Sequence, residues 1–497
     1  MSGLDLPRQI KALDEEIRSG RARLARPVLV EWLKTDAHRL LNRPDRVEVG
    51  SLCRRLGLFT WSVRLLNPWV RPKARAQANV ALPEEIAEYA ASLSFLGADR
   101  EALTLLREVD TNKTPQALLF AAFAHFSRWK YEQAIPDLEK YVSHPSLTDY
   151  ARIIGQVNLA AALIFCERWT DVQALLEGLI ENTRRNNYSL LLGTSLMISA
   201  QHWIGVEDFE RARKDLEQAS ALSESIDGMD LLLIEKWKAI LDLARDGNSR
   251  SEPLLKIQAK ARELREWETV RDCDFHLARY TQDLQLGRHL YFGTPFDAYR
   301  ARLIQKLRIS EPEATERFEW QIGSRGNEFQ VDVVSGESST RNTSLKFGQV
   351  PQRLLALLVS DFYRPHRIAT LHADLFPDRH YHPLHSPAVL RQAILRLRKW
   401  LSESKIPLQI EEDQSTYRLK ALRRCEIRVP PLEISSASTW ADSLRDELNR
   451  RGFISRSSAA LCWHVSERTA FNRLQALVAE NLLVREGKGH ATRYLFK

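Results

Sequence analysis

The sequence has little cysteine, and its cysteines form no pairs. The five residues are far apart, and none belongs to a CxxC motif: Cys53, Cys166, Cys273, Cys425 and Cys462. This spacing excludes the common zinc-binding patterns and offers no disulfide framework. We therefore expect no metal, no cofactor and a reducing environment.

Long hydrophobic runs and catalytic motifs are also lacking. No apolar run reaches the roughly 18 residues of a membrane span, and residues 1–16 carry charges where a signal peptide needs an apolar core. There is no phosphate-binding glycine loop, no zinc-hydrolase His-Glu motif and no glycine-flanked nucleophilic serine. We expect a cytoplasmic protein with no membrane segment, no catalytic residues and no enzymatic activity.

The formal net charge of +8 is distributed unevenly along the 497 residues. Residues 1–341 carry 47 Lys and Arg against 49 Asp and Glu. Residues 342–424 carry 14 against 7, and residues 440–497 carry 10 against 6. A basic excess confined to the last third is typical of proteins that contact a polyanion. The alternative is a surface kept soluble by its charge.

An internal repeat occupies the first 260 residues. The first position of each copy is usually aromatic, the residue three positions later is mostly small, and the residue seven positions later is always leucine. The copies begin at Phe59, Asp99, Tyr131, Trp169 and Phe209; their small residues are Ser62, Ala102, Ala134, Val172 and Ala212, and their leucines are Leu66, Leu106, Leu138, Leu176 and Leu216. A weaker sixth copy begins near Asn248, with Ser251 and Leu255. Such a period indicates helix pairs that bury their apolar faces against neighbouring pairs.

The best copy, residues 121–145, resembles a tetratricopeptide repeat (TPR). Tyr131, Ala134 and Pro145 fall at the positions of that motif. The spacing, about 38 residues, is looser than the usual roughly 34, so other helix-pair repeats remain open. The resemblance implies a TPR-like helical-repeat superhelix over residues 1–310. It also implies that this domain binds a protein or peptide partner or forms a homodimer; a passive spacer is the alternative.

Residues 316–424 change from helical periodicity to alternation. Phe318, Trp320 and Ile322 alternate with polar residues, as do Phe329, Val331 and Val333, which predicts half-buried strands. Three helices and a hairpin are predicted to follow, over 350–363, 367–376, 387–404 and 408–420.

This order resembles the OmpR/PhoB-type winged-helix effector domain. The most specific part is Ile394–Lys399 followed by Tyr417–Leu419, although Thr416 stands where that family usually has glycine. The resemblance implies that the third helix enters the major groove of DNA and that the hairpin reaches the backbone.

The predicted third helix has two different faces. Leu390, Ile394, Leu397 and Leu401 share an apolar face, so the polar residues point outward. Arginine and glutamine recognise guanine and adenine edges in the major groove. The candidate DNA-binding residues of this domain are Arg391, Gln392, Arg396, Arg398, Lys399 and Arg418. Arg398 lies nearer the core and could instead hold the hairpin; a solvated basic helix is the alternative for the whole face.

The loop 378–386 contains three histidines, His380, His382 and His385. They could hold a metal, but no nearby cysteine completes the site. The family resemblance favours a loop that contacts a protein partner, so we expect no metal here.

A Pro/Ser-containing linker is predicted over residues 425–439, and residues 440–497 resemble a second winged helix-turn-helix domain of the kind found in many bacterial repressors. A supporting helix is predicted over 454–463, and Ala470, Leu474, Leu477 and Val478 form the buried stripe of the next helix. Ser466 is predicted to cap that helix. The candidate DNA-binding residues are Ser466, Arg468, Thr469, Asn472, Arg473, Lys488, His490 and Arg493. A protein-binding module is the alternative.

The sequence thus predicts a mainly α chain, with a helical-repeat superhelix followed by two small α/β winged-helix domains. We expect a DNA-binding transcription regulator, associated with the nucleoid, that binds double-stranded DNA and senses a partner through its repeats. The alternative is a PCI-like scaffold or adaptor protein, in which repeats and winged helices serve protein–protein assembly.

Overall fold

The protein is mainly helical in the computed structural model. The structure describes residues 6–496 except for 19–20, 36–37, 39–40, 73–79, 224–228, 314–315, 324–328, 334–336, 339–344, 346–348, 377–378, 414, 431–443, 445–447, 449–451, 464–466, 480–481 and 488–491. None of the described helices is long and apolar enough to cross a membrane.

The chain forms two compact units. The first comprises residues 1–287, 305–307 and 367–388, and the second comprises 288–304, 308–366 and 389–497. The helices of the first three hundred residues are α1 (Leu6–Arg18), α2 (Ala22–Lys34), α3 (Arg43–Arg55), α4 (Phe59–Val70), α5 (Pro83–Leu96), α6 (Asp99–Leu106), α7 (Gln116–Phe126), α8 (Tyr131–Val142), α9 (Asp149–Phe165), α10 (Trp169–Arg185), α11 (Ser189–Gly205), α12 (Phe209–Ser223), α13 (Met229–Asp246), α14 (Ser251–Leu264), α15 (Trp267–Thr281), α16 (Leu284–Phe292) and α17 (Asp297–Leu307).

The five predicted repeat copies coincide with the second helices of five consecutive pairs. Helices α4, α6, α8, α10 and α12 each begin at the first residue of a copy. Every small residue and every leucine of the motif is buried. Each second helix packs on the first helix of its own pair and of the next pair, as α8 packs on α7 and α9. The predicted helical-repeat domain is therefore confirmed at the level of its helix pairs.

Tight turns join the two helices of each pair. The residue two positions before each motif has a left-handed backbone, with φ between 57° and 99°: Gly57, Gly97, Trp129, Glu167 and Glu207. This conformation ends a helix within one residue and lets the chain reverse. Only two of the five are glycine, so no single residue type marks the turn in the sequence.

Buried ion pairs join the first helices of successive pairs. Arg43 of α3 donates to both carboxylate oxygens of Glu85 on α5, at 2.5 and 2.7 Å. Arg54 and Glu88 join the same two helices at 2.7 Å. Because Glu85 is fully buried, loss of Arg43 would leave a buried carboxylate without its charge partner.

The weak sixth copy was predicted in the wrong register. Helix α14 begins at Ser251, after a short 3₁₀ turn, and Leu255 is 47% exposed whereas Leu254 is buried. Seven positions into the helix stands Gln258, whose Nε2 donates to Asp274 Oδ1 at 2.5 Å. A buried polar contact thus replaces the leucine of the motif, which is why the pattern fades here.

The predicted strands, helices and hairpin of residues 316–424 are present in the predicted order. The elements are β1 (Phe318–Ile322), β2 (Phe329–Asp332), α18 (Val350–Leu358), β3 (His366–Arg367), α19 (Ile368–Leu375), α20 (Ser386–Glu403), β4 (Leu408–Asp413) and β5 (Thr416–Ala421). Helix α18 is shorter than predicted because Asp361 Oδ1 accepts the backbone N–H groups of Tyr363 and Arg364, which forms a turn. The OmpR/PhoB assignment itself stays a prediction.

The first five residues of the predicted linker form a strand, β6 (Cys425–Val429). This strand lies between β1, to which it is antiparallel, and β2, to which it is parallel. Cys425, Ile427 and Val429 are buried. They alternate with polar residues, a period-two pattern that the neighbouring prolines obscured in the sequence.

The described residues from 452 onward form two helices and a hairpin. Helix α21 (Arg456–Cys462) is capped by Ser455, whose Oγ accepts the N–H of Ser458 at 3.0 Å. Helix α22 (Glu467–Ala479) buries Ala470, Leu474 and Leu477 as predicted. Strands β7 (Leu483–Glu486) and β8 (Arg493–Phe496) pair antiparallel. The predicted cap of α22, Ser466, lies outside the described residues.

The close approach at Gly97 yields a stability prediction. A Cβ atom at Gly97 would lie 2.1 Å from Thr370 Oγ1, whereas one at Gly57 would meet nothing within 4 Å. Both glycines have positive φ, so alanine at either position is strained by roughly 1–2 kcal/mol. We expect Gly97→Ala to cost about 1–3 kcal/mol more than Gly57→Ala in urea unfolding of the whole chain.

The clash can be separated from the strain by a second substitution. Adding Thr370→Ala to Gly97→Ala removes the atom that the new methyl group meets, so the two glycine variants should then cost about the same. Equal unfolding midpoints for Gly57→Ala and Gly97→Ala alone would show that the contact with Thr370 is not tight.

Candidate functional site

A cleft of about 340 Å³ lies on the helical array between α10 and α12, with α11 as its floor. Ligand pockets commonly measure about 300–1,000 Å³, so the cleft is large enough for one or two side chains of a ligand. Its lining residues are Gln173, Leu176, Glu177, Ile180, Arg184, Leu196, Ser199, His202, Trp203, Arg211, Lys214, Asp215 and Gln218.

The floor of the cleft contains a buried histidine. His202 is only 1% exposed, and neither ring nitrogen has a hydrogen-bond partner among the residues that the structure describes. Its ring packs between Trp169 and Trp203, with centroids 5.9 and 4.6 Å away. Burial lowers the pKa of His202, so the ring is neutral near pH 7 and offers one donor and one acceptor. An unpaired buried polar group costs free energy that a ligand can recover.

The acidic group in the cleft is engaged by its neighbours. Ser199 Oγ donates to Asp215 Oδ2 at 2.6 Å, and the Trp203 side chain also hydrogen-bonds this carboxylate. Burial raises the pKa of Asp215, and these two hydrogen bonds oppose the shift. Asp215 therefore holds the wall of the cleft together rather than facing a ligand unpaired.

The rim of the cleft carries three cations and one further carboxylate. The Arg211 guanidinium lies 4.6 Å from the Trp203 ring centroid and pairs with Asp208 at 3.2 Å. Arg184 and Lys214 have no ion-pair partner among the residues that the structure describes. Glu177 is exposed on the α10 side. Apart from the Arg211–Asp208 pair, the cleft has two cations, Arg184 and Lys214, and two carboxylates, Asp215 and Glu177.

The outer face of α20 presents the predicted base-contacting residues. Arg391, Gln392 and Arg396 are exposed, whereas Leu390 and Ile394 are buried on the opposite face. The helix therefore has the two faces that the sequence predicts. Whether the outer face meets DNA stays a prediction.

Three other cations predicted to meet DNA make contacts within the chain. Arg398 Nη2 donates to the carbonyl oxygen of Ile410 at 2.9 Å and so holds the β4–β5 hairpin, which is the second role foreseen for it. Arg418 Nη2 lies 2.6 Å from Glu411 Oε2, and Lys399 Nζ lies 3.6 Å from Glu403 Oε1.

The second predicted DNA-binding set is only partly described. Arg468 is exposed on α22, and Asn472 is half-buried. Arg473 lies 5.6 Å from the Trp463 ring centroid, and Arg493 lies 4.4 Å from that of Phe453. The predicted residues that fall outside the described part are Ser466, Lys488, His490 and the side chain of Thr469.

The histidine loop contacts the helical array. Tyr381 N donates to Glu101 Oε2 at 2.8 Å, and His380 Nδ1 lies 3.5 Å from Glu101 Oε1. The rings of His382 and His385 stack 4.5 Å apart. Within the described residues, no group of three or more His, Cys, Asp and Glu side chains could hold a metal ion.

Comparisons with known proteins do not assign the chain to a family. Neither protein-family models nor curated proteins give a match. Among solved structures, the apo form of RapI is 11% identical over 57% of this chain and 85% of its own, with a TM-score of 0.39. A Rap protein complexed with Competence and Sporulation Factor is 10% identical over 80% of this chain and 99% of its own, with a TM-score of 0.41. These similarities are too weak to support an inference about fold or function. The helix pairs themselves define the chain as a helical-repeat protein.

The cleft could not be found from the sequence. Its residues come from three helices and share no motif, since only Leu176 belongs to the repeat pattern. The local signal was the polar pair Gln201 and His202, next to Trp203 in a helix whose other residues are apolar or small. The helical period of the apolar residues around it would have placed that histidine on the buried side of the helix.

A different buried histidine yields a prediction about acid stability. His372 on α19 is buried beside Phe376 and Tyr381, and burial lowers its pKa to about 4. The unfolded chain, with an ordinary pKa near 6.5, therefore takes up a proton that the folded chain excludes. The stability that His372 contributes is complete above about pH 6.5 and is lost as the pH falls toward 4, by at most about 1.4 kcal/mol per pH unit.

We expect His372→Phe to flatten the fall of unfolding free energy between pH 6.5 and 4, measured by urea titration at each pH. His385→Phe, at an exposed ring in the loop that follows α19, is the control and should leave the slope unchanged. An unchanged slope in His372→Phe would refute the assignment. Some acid dependence should persist, because burial also lowers the pKa of His125, to about 4.

Proposed function

We propose that the chain is a helical-repeat adaptor whose array binds a protein or peptide partner. The observation that carries this proposal is the stack of five motif-bearing helix pairs, each packed on the next. Such stacks present extended surfaces on which partners bind. This is the scaffold or adaptor alternative of the sequence analysis rather than its main hypothesis of specific DNA recognition.

The contacts that basic residues make within the chain also favour an adaptor over a DNA-binding regulator. Arg398 and Arg418, both predicted to meet DNA, already make hydrogen bonds to Ile410 and Glu411. A side chain with a partner inside the protein must give up that contact before it binds a phosphate or a base. The exposed cleft residues Arg184 and Lys214, in contrast, make no ion pair among the described residues.

The test places a photo-crosslinking benzophenone amino acid at one exposed position of the full chain in cells. We expect a probe at Gln173 on α10, at the rim of the cleft, to give a discrete protein adduct that nuclease treatment does not change. Gly178, exposed on the same helix with no neighbour within 4 Å of its Cβ position, is the matched control and should give none. Adducts with the chain itself would indicate a homodimer, and no adduct at Gln173 would contradict the proposal.

Recognition of double-stranded DNA by α20 is a second candidate function, favoured by the exposed residues Arg391, Gln392 and Arg396. A helix with an apolar inner face and a polar outer face that includes arginine and glutamine suits the major groove. In this case the array would sense a partner and α20 would recognise the DNA sequence.

This candidate predicts a loss of sequence preference. Duplexes are first selected from a random library with the full chain, and affinities are then measured for a selected and a scrambled duplex at two salt concentrations. Arg396→Ala should lose roughly 1–3 kcal/mol of preference for the selected duplex while nonspecific binding stays nearly intact. Arg418→Ala, whose side chain is held by Glu411, should leave the preference unchanged. If the selection enriches no sequence, or if Arg396→Ala keeps the preference for the selected duplex, α20 does not recognise the DNA sequence.

A further inference from the structure

We infer that the cleft formed by α10, α11 and α12 binds an acidic peptide segment, with a carboxylate at Arg184 and Lys214 and an apolar side chain against Trp203. This inference deepens the proposed function and rests on it, since it names the chemistry of the partner at one place on the array. Nothing in the repeat motif requires these polar residues, because only Leu176 among the lining residues belongs to it.

Two cations of the cleft have no ion-pair partner within the described ranges. Arg184 on α10 and Lys214 on α12 line the cleft, and neither lies within ion-pair distance of a carboxylate among the residues that the structure describes. Asp215 accepts a hydrogen bond from Ser199 and forms no ion pair with either cation within that part of the chain. The next residue along α10 behaves differently: Arg185 pairs with Glu181 at 2.6 Å. A ligand carboxylate between Arg184 and Lys214 would supply the missing partner, since charge-assisted hydrogen bonds are the strong ones.

The histidine on the floor favours a ligand with a backbone. Neutral His202 offers one N–H donor and one nitrogen acceptor, and neither is used. A peptide backbone has both a carbonyl acceptor and an N–H donor, so it can satisfy either nitrogen.

The apolar surface of the cleft favours a hydrophobic side chain beside the carboxylate. Leu176, Ile180 and Leu196 line the cleft together with Trp203. Aromatic and aliphatic walls with a few placed polar groups are the usual composition of a ligand site. A short segment with alternating acidic and aliphatic residues combines all three features.

The experiment measures fluorescence anisotropy of labelled hexapeptides with the full chain. The probes are a peptide of alternating Glu and Leu, its Lys-Leu counterpart and its Gln-Leu counterpart. We expect the Glu-Leu peptide to bind at least tenfold more tightly than the other two, with an affinity that falls as salt is added. The Arg184→Gln/Lys214→Gln variant should lose about tenfold of that affinity, and His202→Phe, which keeps a ring between Trp169 and Trp203, should also weaken it.

Arg185→Gln is the matched control, because it removes the same charge one residue away from the cleft, and it should bind as the parent does. Equal binding of the Glu-Leu and Lys-Leu peptides, no binding of the Glu-Leu peptide, or parental affinity in Arg184→Gln/Lys214→Gln would overturn the inference. Inorganic phosphate is added as a competitor. If millimolar phosphate binds at the same residues and displaces the peptide completely, the site is one for small oxyanions and the peptide assignment is wrong.

The outcomes separate this inference from the proposed function. If the Glu-Leu peptide does not bind but the probe at Gln173 still gives a protein adduct, the array binds a partner of different chemistry. If the adduct is also missing, the proposed function fails with it. Circular dichroism of each variant shows that a loss of binding does not come from unfolding.

Discussion

The structure depends on one recurring feature, a buried and mostly small residue where the second helix of each pair packs against its neighbours. Ser62 shows how this packing works: its hydroxyl accepts a hydrogen bond from Ser92 of the next pair at 2.8 Å, and both side chains are fully buried. A larger residue would push the helices apart and open a void along the line of leucines four positions later. Because each pair buries its apolar face against its neighbours, a loss of packing at one crossing is felt by the adjacent pairs.

The same arrangement leaves room for chemistry between the motif positions. The repeat fixes only three positions in each second helix, so the other exposed faces can carry any residues that do not disturb the stack. Leu176 serves both purposes, since it is the motif leucine of α10 and also part of the cleft wall. Residues such as His202 and Lys214 are not required by the packing, and a buried histidine without partners lowers stability. Such a loss of stability is typical of residues that serve binding rather than folding.

The sequence predicted the repeat well because its signal is local and repeated. It located the first residue of five helices and the buried residues of each, and it also predicted the two faces of α20. It missed β6 because Val429 was grouped with the prolines that follow it, although Cys425 and Ile427 already alternate with polar residues. It could not find the cleft, whose residues are far apart in the chain. Nor could it show that Arg398 holds the carbonyl group of Ile410, because that contact depends on how the hairpin folds back.

The contacts of the basic residues separate two effects that the charge count combines. Glu411 pairs with both Arg418 and Lys420, which engages both cations but leaves the basic excess of residues 342–424 unchanged. The long-range attraction of a basic segment for polyanions depends on net charge and so survives such pairing. Sequence recognition depends on free donors aimed at base edges, and these remain on only part of α20. Salt-sensitive retention of DNA would therefore follow from the composition alone, whichever function the chain has. Only a preference among DNA sequences would distinguish a transcription regulator from an adaptor with a basic surface.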